Sequence, residues 1–203
     1  MGEEESGTTV DLIDKALISK EYAEKFVWSD PEARTNEEKD SLYGIVNAVS
    51  EAMSKLPGYV NFINDENTEF FDGPTDEVYL RNFPINSITS VHEGGEELDA
   101  PTEQAASDGD YDYYKDMGIV YKTNGHFTSG RQKVKVIYNS GFGTDESEIP
   151  DDIKMACVAW VKQINDSEVE NFGTIITAQT MIRPTDMPEI TRKLLAPYRK
   201  KKV

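Results

Sequence analysis

Residues 131–164 read RQKVKVIYNSGFGTDESEIPDDIKMACVAWVKQI, and the fold is organised around this stretch. Val134, Val136 and Tyr138 alternate with Lys133, Lys135 and Ile137, the period of two expected of a half-buried strand. Gly141 and Gly143 permit φ > 0 and stop it. Pro150 suits the first turn of a helix, where a missing N–H costs nothing, and Asp151 and Asp152 place negative charge at the positive end of the helix dipole. Ile153, Ala156, Cys157, Trp160, Val161 and Ile164 then share one helical face, a core-packing stripe. A strand, a turn and a core helix are predicted, without any catalytic pattern between them.

The chain has 203 residues, enough for one substantial domain or a small core with insertions. Only 37% of it is hydrophobic, which suits a thin protein or one completed by neighbours. The net charge of -17 argues against nucleic-acid binding over the whole surface. Residues 1–112 carry 27 acidic and 7 basic side chains, and the remainder 11 and 14, so the two halves are expected to face different surroundings. The single cysteine, Cys157, excludes an internal disulfide framework and falls on the apolar helix face, the place of a small buried hydrophobe. No apolar run is long enough to span a bilayer. The start, MGEEESGTT, is acidic and polar, unlike a secretory signal; its three glutamates also weigh against the myristoylation pattern that Gly2 and Ser6 touch.

Elsewhere, Thr9 is positioned to cap a helix bearing Leu12, Ile13, Ala16 and Leu17, with a second short helix over residues 19–28. Thr35 and Glu38 have capping-box spacing ahead of a stripe of Leu42, Ile45, Val46, Val49, Met53 and Leu56, ended by Pro57 and Gly58. Short strands are predicted at 78–80, 88–92, 111–114, 119–121 and 134–138, separated by glycine and proline turns. Residues 122–126 read as a hairpin tip or the start of a longer loop, and 93–112 as an exposed polar loop. The central helix is expected to break near Phe172 and Gly173, and a last helical piece to begin at Met187 and Pro188 with Ile190, Leu194 and Leu195 on one side.

Candidate chemistry is thin. Asp108, Asp110 and Asp112 alternate as a calcium loop begins, but Tyr113 and Ile119 occupy the positions where that loop needs glycine and glutamate; a solvated acidic loop is the expectation. His92 and His126 lack partners at zinc-ligand spacing and read as surface residues. Gly141 and Gly143 echo a phosphate loop weakly, but the acidic run after them would repel phosphate. No nucleophile elbow is present. Leu194, Leu195, Pro197 and Tyr198 precede the basic run Arg199–Lys202, and apolar anchors beside charge favour docking on a partner.

Four blocks, in order, give a family resemblance: DLIDKALIS, LYGIVNAVSEAMSKLPG, LRNFPINSITSVHEGG, and KVKVIYNSGFG followed by IPDDIKMACVAWVKQI; the close LLAPYRKKKV adds to them. The chain resembles the head–tail connector (adaptor, head-completion) proteins of tailed bacteriophages. That resemblance implies an α+β fold: a compact helical bundle core, a β-rich insertion forming a hairpin arm, and an extended C-terminal tail. Mapped on this chain, the expected parts are a disordered acidic N-terminus (1–8), N-terminal core helices (9–58), the β-rich insertion (59–148), the central core helix with its following loop (149–180), and a C-terminal docking tail (181–203).

It further implies a non-enzymatic virion protein without cofactor or metal, made in the host cytoplasm and placed at the neck. There a homo-oligomeric ring of about a dozen copies would sit below the portal protein, extend the DNA channel, and carry a stopper or tail-completion protein. DNA would pass without specific binding, and no membrane is involved. Leu194, Leu195, Pro197, Tyr198 and Arg199 would bind the portal, while Leu42, Ile45, Val49, Met53, Ile153, Cys157, Trp160, Val161 and Ile164 would pack the core. The alternatives are another neck component, a stopper or tail terminator, or a small cytosolic metal-dependent binding protein or enzyme.

Overall fold

Ser19 begins the first helix, α1 (Lys20–Val27), by accepting a hydrogen bond from Tyr22 N at 3.1 Å. After a 3₁₀ turn at Pro31–Ala33, α2 (Asn36–Ser54) starts with both halves of the capping box in place: Glu38 N donates to Thr35 Oγ1, and Thr35 N donates to Glu38 Oε2. Two backbone donors that no helical carbonyl could reach are thereby satisfied. Helices α3 (Asp151–Asn171) and α4 (Glu189–Leu194) are the other α-helices among the described residues. The computed structural model describes residues 10–143, 145–171 and 187–200, the side chains of 167–171 excepted. The acidic N-terminus (1–8), the expected break near Phe172 and Gly173, and the last basic residues lie outside them.

The fold is α+β, and the chain divides into two units: Met1–Tyr59 with Asp145–Val203, and Val60–Thr144. In the first, α2 packs on α3, α1 packs on both, and α4 lies on α3. Leu42, Ile45, Val49 and Met53 of α2 are buried, as are Ile153, Cys157, Trp160 and Val161 of α3, while Ile164 is half-buried. Residues 10–19 are not the helix that Thr9 was positioned to cap. They run along α2, whose polar side chains take their amides: Val10 N donates to Asp40 Oδ1 (3.2 Å), Ile13 N to Asn47 Oδ1 (2.9 Å) and Leu17 N to Ser50 Oγ (3.1 Å). Leu17 and Ile18 are buried there without helical bonding. The last helix also differs from expectation. It packs through Thr191, whose hydroxyl donates to Ala156 O at 2.9 Å, and Leu195 is buried, whereas Ile190 is exposed.

The second unit holds all seven strands found among the described residues: β1 (Asp65–Gly73), β2 (Glu77–Tyr79), β3 (Ile85–Glu93), β4 (Glu96–Glu97), β5 (Tyr111–Tyr114), β6 (Ile119–Lys122) and β7 (Gly130–Ser140). They form a four-stranded sheet in the order β1-β7-β3-β4 and a three-stranded sheet in the order β2-β6-β5, with every strand pair antiparallel. Both sheets turn one face onto a shared core of Val78, Ile85, Val91, Tyr111, Val120 and Tyr138 and their neighbours. This unit has its own core, which is more than a hairpin arm requires. Because β6 and β7 belong to different sheets, residues 123–129 form a crossing loop and not a hairpin tip.

Gly141 justifies its place in the opening stretch. Its φ is +114°, and a Cβ there would stand 2.3 Å from Ile63 O, in backbone that cannot yield by rotating a side chain. Here the two ends of the unit meet, Asn64 N donating to Gly143 O at 2.9 Å, and Gly141 N donates to Pro84 O at 2.8 Å. Gly141→Ala is expected to cost the β unit at least about 2 kcal/mol, from strain at positive φ plus the lost closure. Urea denaturation followed by far-UV circular dichroism checks it.

Candidate functional site

The C-terminal segment is tied to its own unit at several points. The Tyr198 hydroxyl donates to Asp152 Oδ1 at 2.6 Å, in the first turn of α3. Burial and that carboxylate both push the phenol pKa up. Arg199 Nε donates to the Tyr59 hydroxyl at 3.1 Å, with the guanidinium 5.5 Å from the Tyr59 ring centroid. An antiparallel bridge joins Tyr59 to Arg199, and Lys200 N donates to Gly58 O at 2.8 Å. Of the five residues expected to bind the portal, Leu195 is buried within its own unit and Leu194 and Tyr198 are half-buried; Pro197 and Arg199 are exposed. Sequence reasoning missed the seat, Gly58, Tyr59 and Asp152. Tyr59 and Arg199 are 140 positions apart, so no local spacing could pair them.

The acidic loop is organised in a way its composition hides. Asp112 is fully buried, and its carboxylate accepts the amides of Ala105 (3.0 Å), Ser107 (3.1 Å) and Tyr113 (2.7 Å). Asp108 accepts Thr102 N at 3.0 Å and the Thr102 hydroxyl at 2.6 Å, and these bonds lower its pKa; Asp110 accepts Asp99 N at 3.1 Å. Asp108 and Asp110 stay exposed, as expected of a solvated acidic loop, whereas Asp112 is buried; all three carboxylates accept backbone amides in place of strand partners. Among the described residues no group of three or more His, Cys, Asp or Glu could hold a metal ion. His126 Nδ1 lies against Asp76 Oδ1 on the surface, and His92 Nε2 is 3.1 Å from Ser90 Oγ. Burial pushes the Cys157 thiol up to about 12, which disfavours the thiolate that a nucleophile needs. Among the described residues no helix is long and apolar enough to cross a membrane.

The described site chemistry is therefore that of surfaces and backbone ties, with no gathered reactive groups. Comparison with curated proteins finds no match. Among solved structures, a chain from "Neck of empty GTA particle computed with C6 symmetry" shares the fold, with a TM-score of 0.53 at 15% identity over 96% of this chain and 94% of that one. A chain from "Neck of native GTA particle computed with C12 symmetry" gives 0.52 at 14% over 96% and 94%. One from "Virion of native gene transfer agent (GTA) particle" gives 0.52 at 12% over 97% and 96%. The sequence itself matches the model of the family described as "Head completion protein" over residues 16–201, through both units. The chain belongs to the head completion protein family.

Proposed function

We propose that this chain is a structural virion protein of tailed-phage type, a head–tail adaptor that forms a ring at the neck. The observation that carries the proposal is the family match, which runs from residue 16 to residue 201 and so includes both units. Neck structures of shared fold, computed with C6 and C12 symmetry, support a ring within the particle. Our reading is more specific. About a dozen copies would sit below the portal protein, extend the DNA channel, and present a platform for a stopper or tail-completion protein. The helical unit serves as scaffold and the β unit as the arm that reaches neighbours. A chain of net charge -17 lining such a channel would repel DNA and let it slide without sticking.

The C-terminal segment is the proposed portal contact, through Pro197, Arg199 and the exposed side of Leu194. Leu195 and Tyr198 hold that segment in place. Deleting residues 197–203 removes the Tyr198, Arg199 and Lys200 ties but keeps Leu195, so the fold should survive with a loss of about 2 kcal/mol. Negative-stain microscopy of the full chain, alone and mixed with portal, should show rings, and on the portal the truncated chain should show markedly fewer. Normal attachment by the truncated chain would remove the tail from the proposal. Absence of rings from the full chain under both conditions would overturn the adaptor reading itself.

A further inference from the structure

The register of the three-stranded sheet sets Tyr79 and Tyr114 on either side of Ile119, in one row across its outward face. Tyr121, two residues along the same face, stacks on Tyr114 with ring centroids 5.0 Å apart. Tyr79 is 45% exposed and Tyr114 43%, and Met117 in the turn beside them is 57% exposed. Tyrosine and methionine are the side chains that protein interfaces favour.

The row of Tyr79, Ile119 and Tyr114 carries no charged side chain. The second row of the face contains Glu77, whose carboxylate is held by the Tyr79 hydroxyl, and Asp112, buried under the loop amides it accepts. Lys115 and Asp116 stand at the rim with opposite signs. Copies can therefore meet along that row without setting carboxylates against one another there, while the exposed Asp108 and Asp110 of the loop over Asp112 add negative charge that suits a lysine-bearing partner face.

The outward face of the four-stranded sheet lies on another side of the same core. Its rows are Phe70, Lys135, His92 and Glu97, then Thr68, Ile137 and Ser90. Phe70 is 51% exposed, and Lys133 and Lys135 lie along the second strand in, with Glu66 and Glu97 confined to the two edge strands. Apolar side chains beside lysines suit tyrosine rings, whose faces attract cations.

We propose that neighbouring copies meet by seating the tyrosine face of one on the Phe70–Lys135 face of the next. The inference rests on the ring reading above and names the surfaces that would build the ring. Two different faces on one body make a heterologous contact, which repeats from copy to copy and closes when its rotation permits. Tyr79, Tyr114 and Met117 offer roughly 300 Å² of the roughly 800 Å² per partner usual in a stable interface, so they form the centre of the contact.

Two full-length variants test it, Tyr79→Glu with Tyr114→Glu, and Phe70→Glu with Lys135→Glu, all on exposed or half-exposed side chains. Under conditions where the unaltered chain forms rings by sedimentation velocity and microscopy, each variant alone should remain monomeric. A 1:1 mixture still holds one intact pair of faces and should give dimers that grow no further. Recovery of dimers also shows that both variants are folded. Rings of normal size from either variant would overturn the face assignment while leaving the ring reading intact. Normal rings that fail only to bind portal would assign the faces to the portal instead, and would also overturn it. An unaltered chain that stays monomeric with and without portal would remove both readings.

Discussion

Trp160→Ala is expected to lower the stability of the helical unit by about 4 kcal/mol, the largest effect of any single substitution proposed for that unit. Trp160 is the largest of the fully buried side chains among the described residues and lies on α3, which packs against α1, α2 and α4. Truncation would remove most of its volume from a site walled by helices, which can close only partly over the void. The indole Nε1 has no hydrogen-bond partner among the described residues. Trp160→Phe therefore gives up volume but no hydrogen bond there, and should cost clearly less than the alanine variant. Urea denaturation followed by far-UV circular dichroism separates the two. Equal losses would show that the site needs the indole itself and not its bulk.

The second large effect lies in the β unit. Lys122 of β6 and Glu93 of β3 point inward from the two sheets and form an ion pair at 2.7 Å, with side chains only 13% and 14% exposed. Glu93 Oε1 also accepts the Thr128 hydroxyl at 2.6 Å and the Thr128 amide, and Lys122 Nζ lies 5.8 Å from the Phe127 ring centroid. The pair thus fastens both sheets to the crossing loop. Lys122→Met strands a carboxylate and Glu93→Gln strands an ammonium, and each should cost about 3 kcal/mol. Because both changes break one interaction, the double variant should lose distinctly less than the sum.

Desolvation raises the Glu93 pKa, but the hydrogen bonds from Lys122 and Thr128 outweigh it, and the net shift is downward. A depressed carboxylate stabilises the folded state above its unfolded pKa of about 4.3, and that stabilisation fades as pH falls through the lower folded value. The stability gap between the unaltered chain and Glu93→Gln should accordingly be full at neutral pH and shrink in acid. A gap that stayed constant down to strongly acid pH would show that the carboxylate charge contributes nothing.

What the sequence shows and what it hides follow the range of the forces. The capping box at Thr35 and Glu38 and the Pro150–Asp151 start are local signals, and α2 and α3 begin where those signals predict. The strand read at 134–138 is the middle of β7. By contrast β1, DENTEFFDG, carries polar residues on its inward side and does not read as a strand. Those residues are satisfied far along the chain: Asn67 Nδ2 donates to Ser140 Oγ at 2.9 Å, Asn82 Nδ2 to Asn67 Oδ1 at 2.8 Å, and the Tyr138 hydroxyl to Glu69. A polar network replaces the apolar alternation that periodicity relies on. Residues 10–19 fail for a related reason, since side chains of α2 supply the acceptors that a helix would have supplied internally. The candidate tail was legible as apolar anchors beside charge, but its seat on Tyr59 and Asp152 was not, because tertiary folding alone brings them together.

The hydrogen bond between Asn64 N and Gly143 O has a further consequence for how such a chain can change. The β unit enters and leaves through two strands of backbone in direct contact, so excising residues 64–143 would leave a gap that a linker of a few residues can bridge. Closing so short a loop adds little entropy cost compared with a long one. The unit is therefore a cassette: it can be enlarged, shortened or exchanged without altering the distance its host must span. A lineage could retool the β unit while the helical unit keeps its sequence.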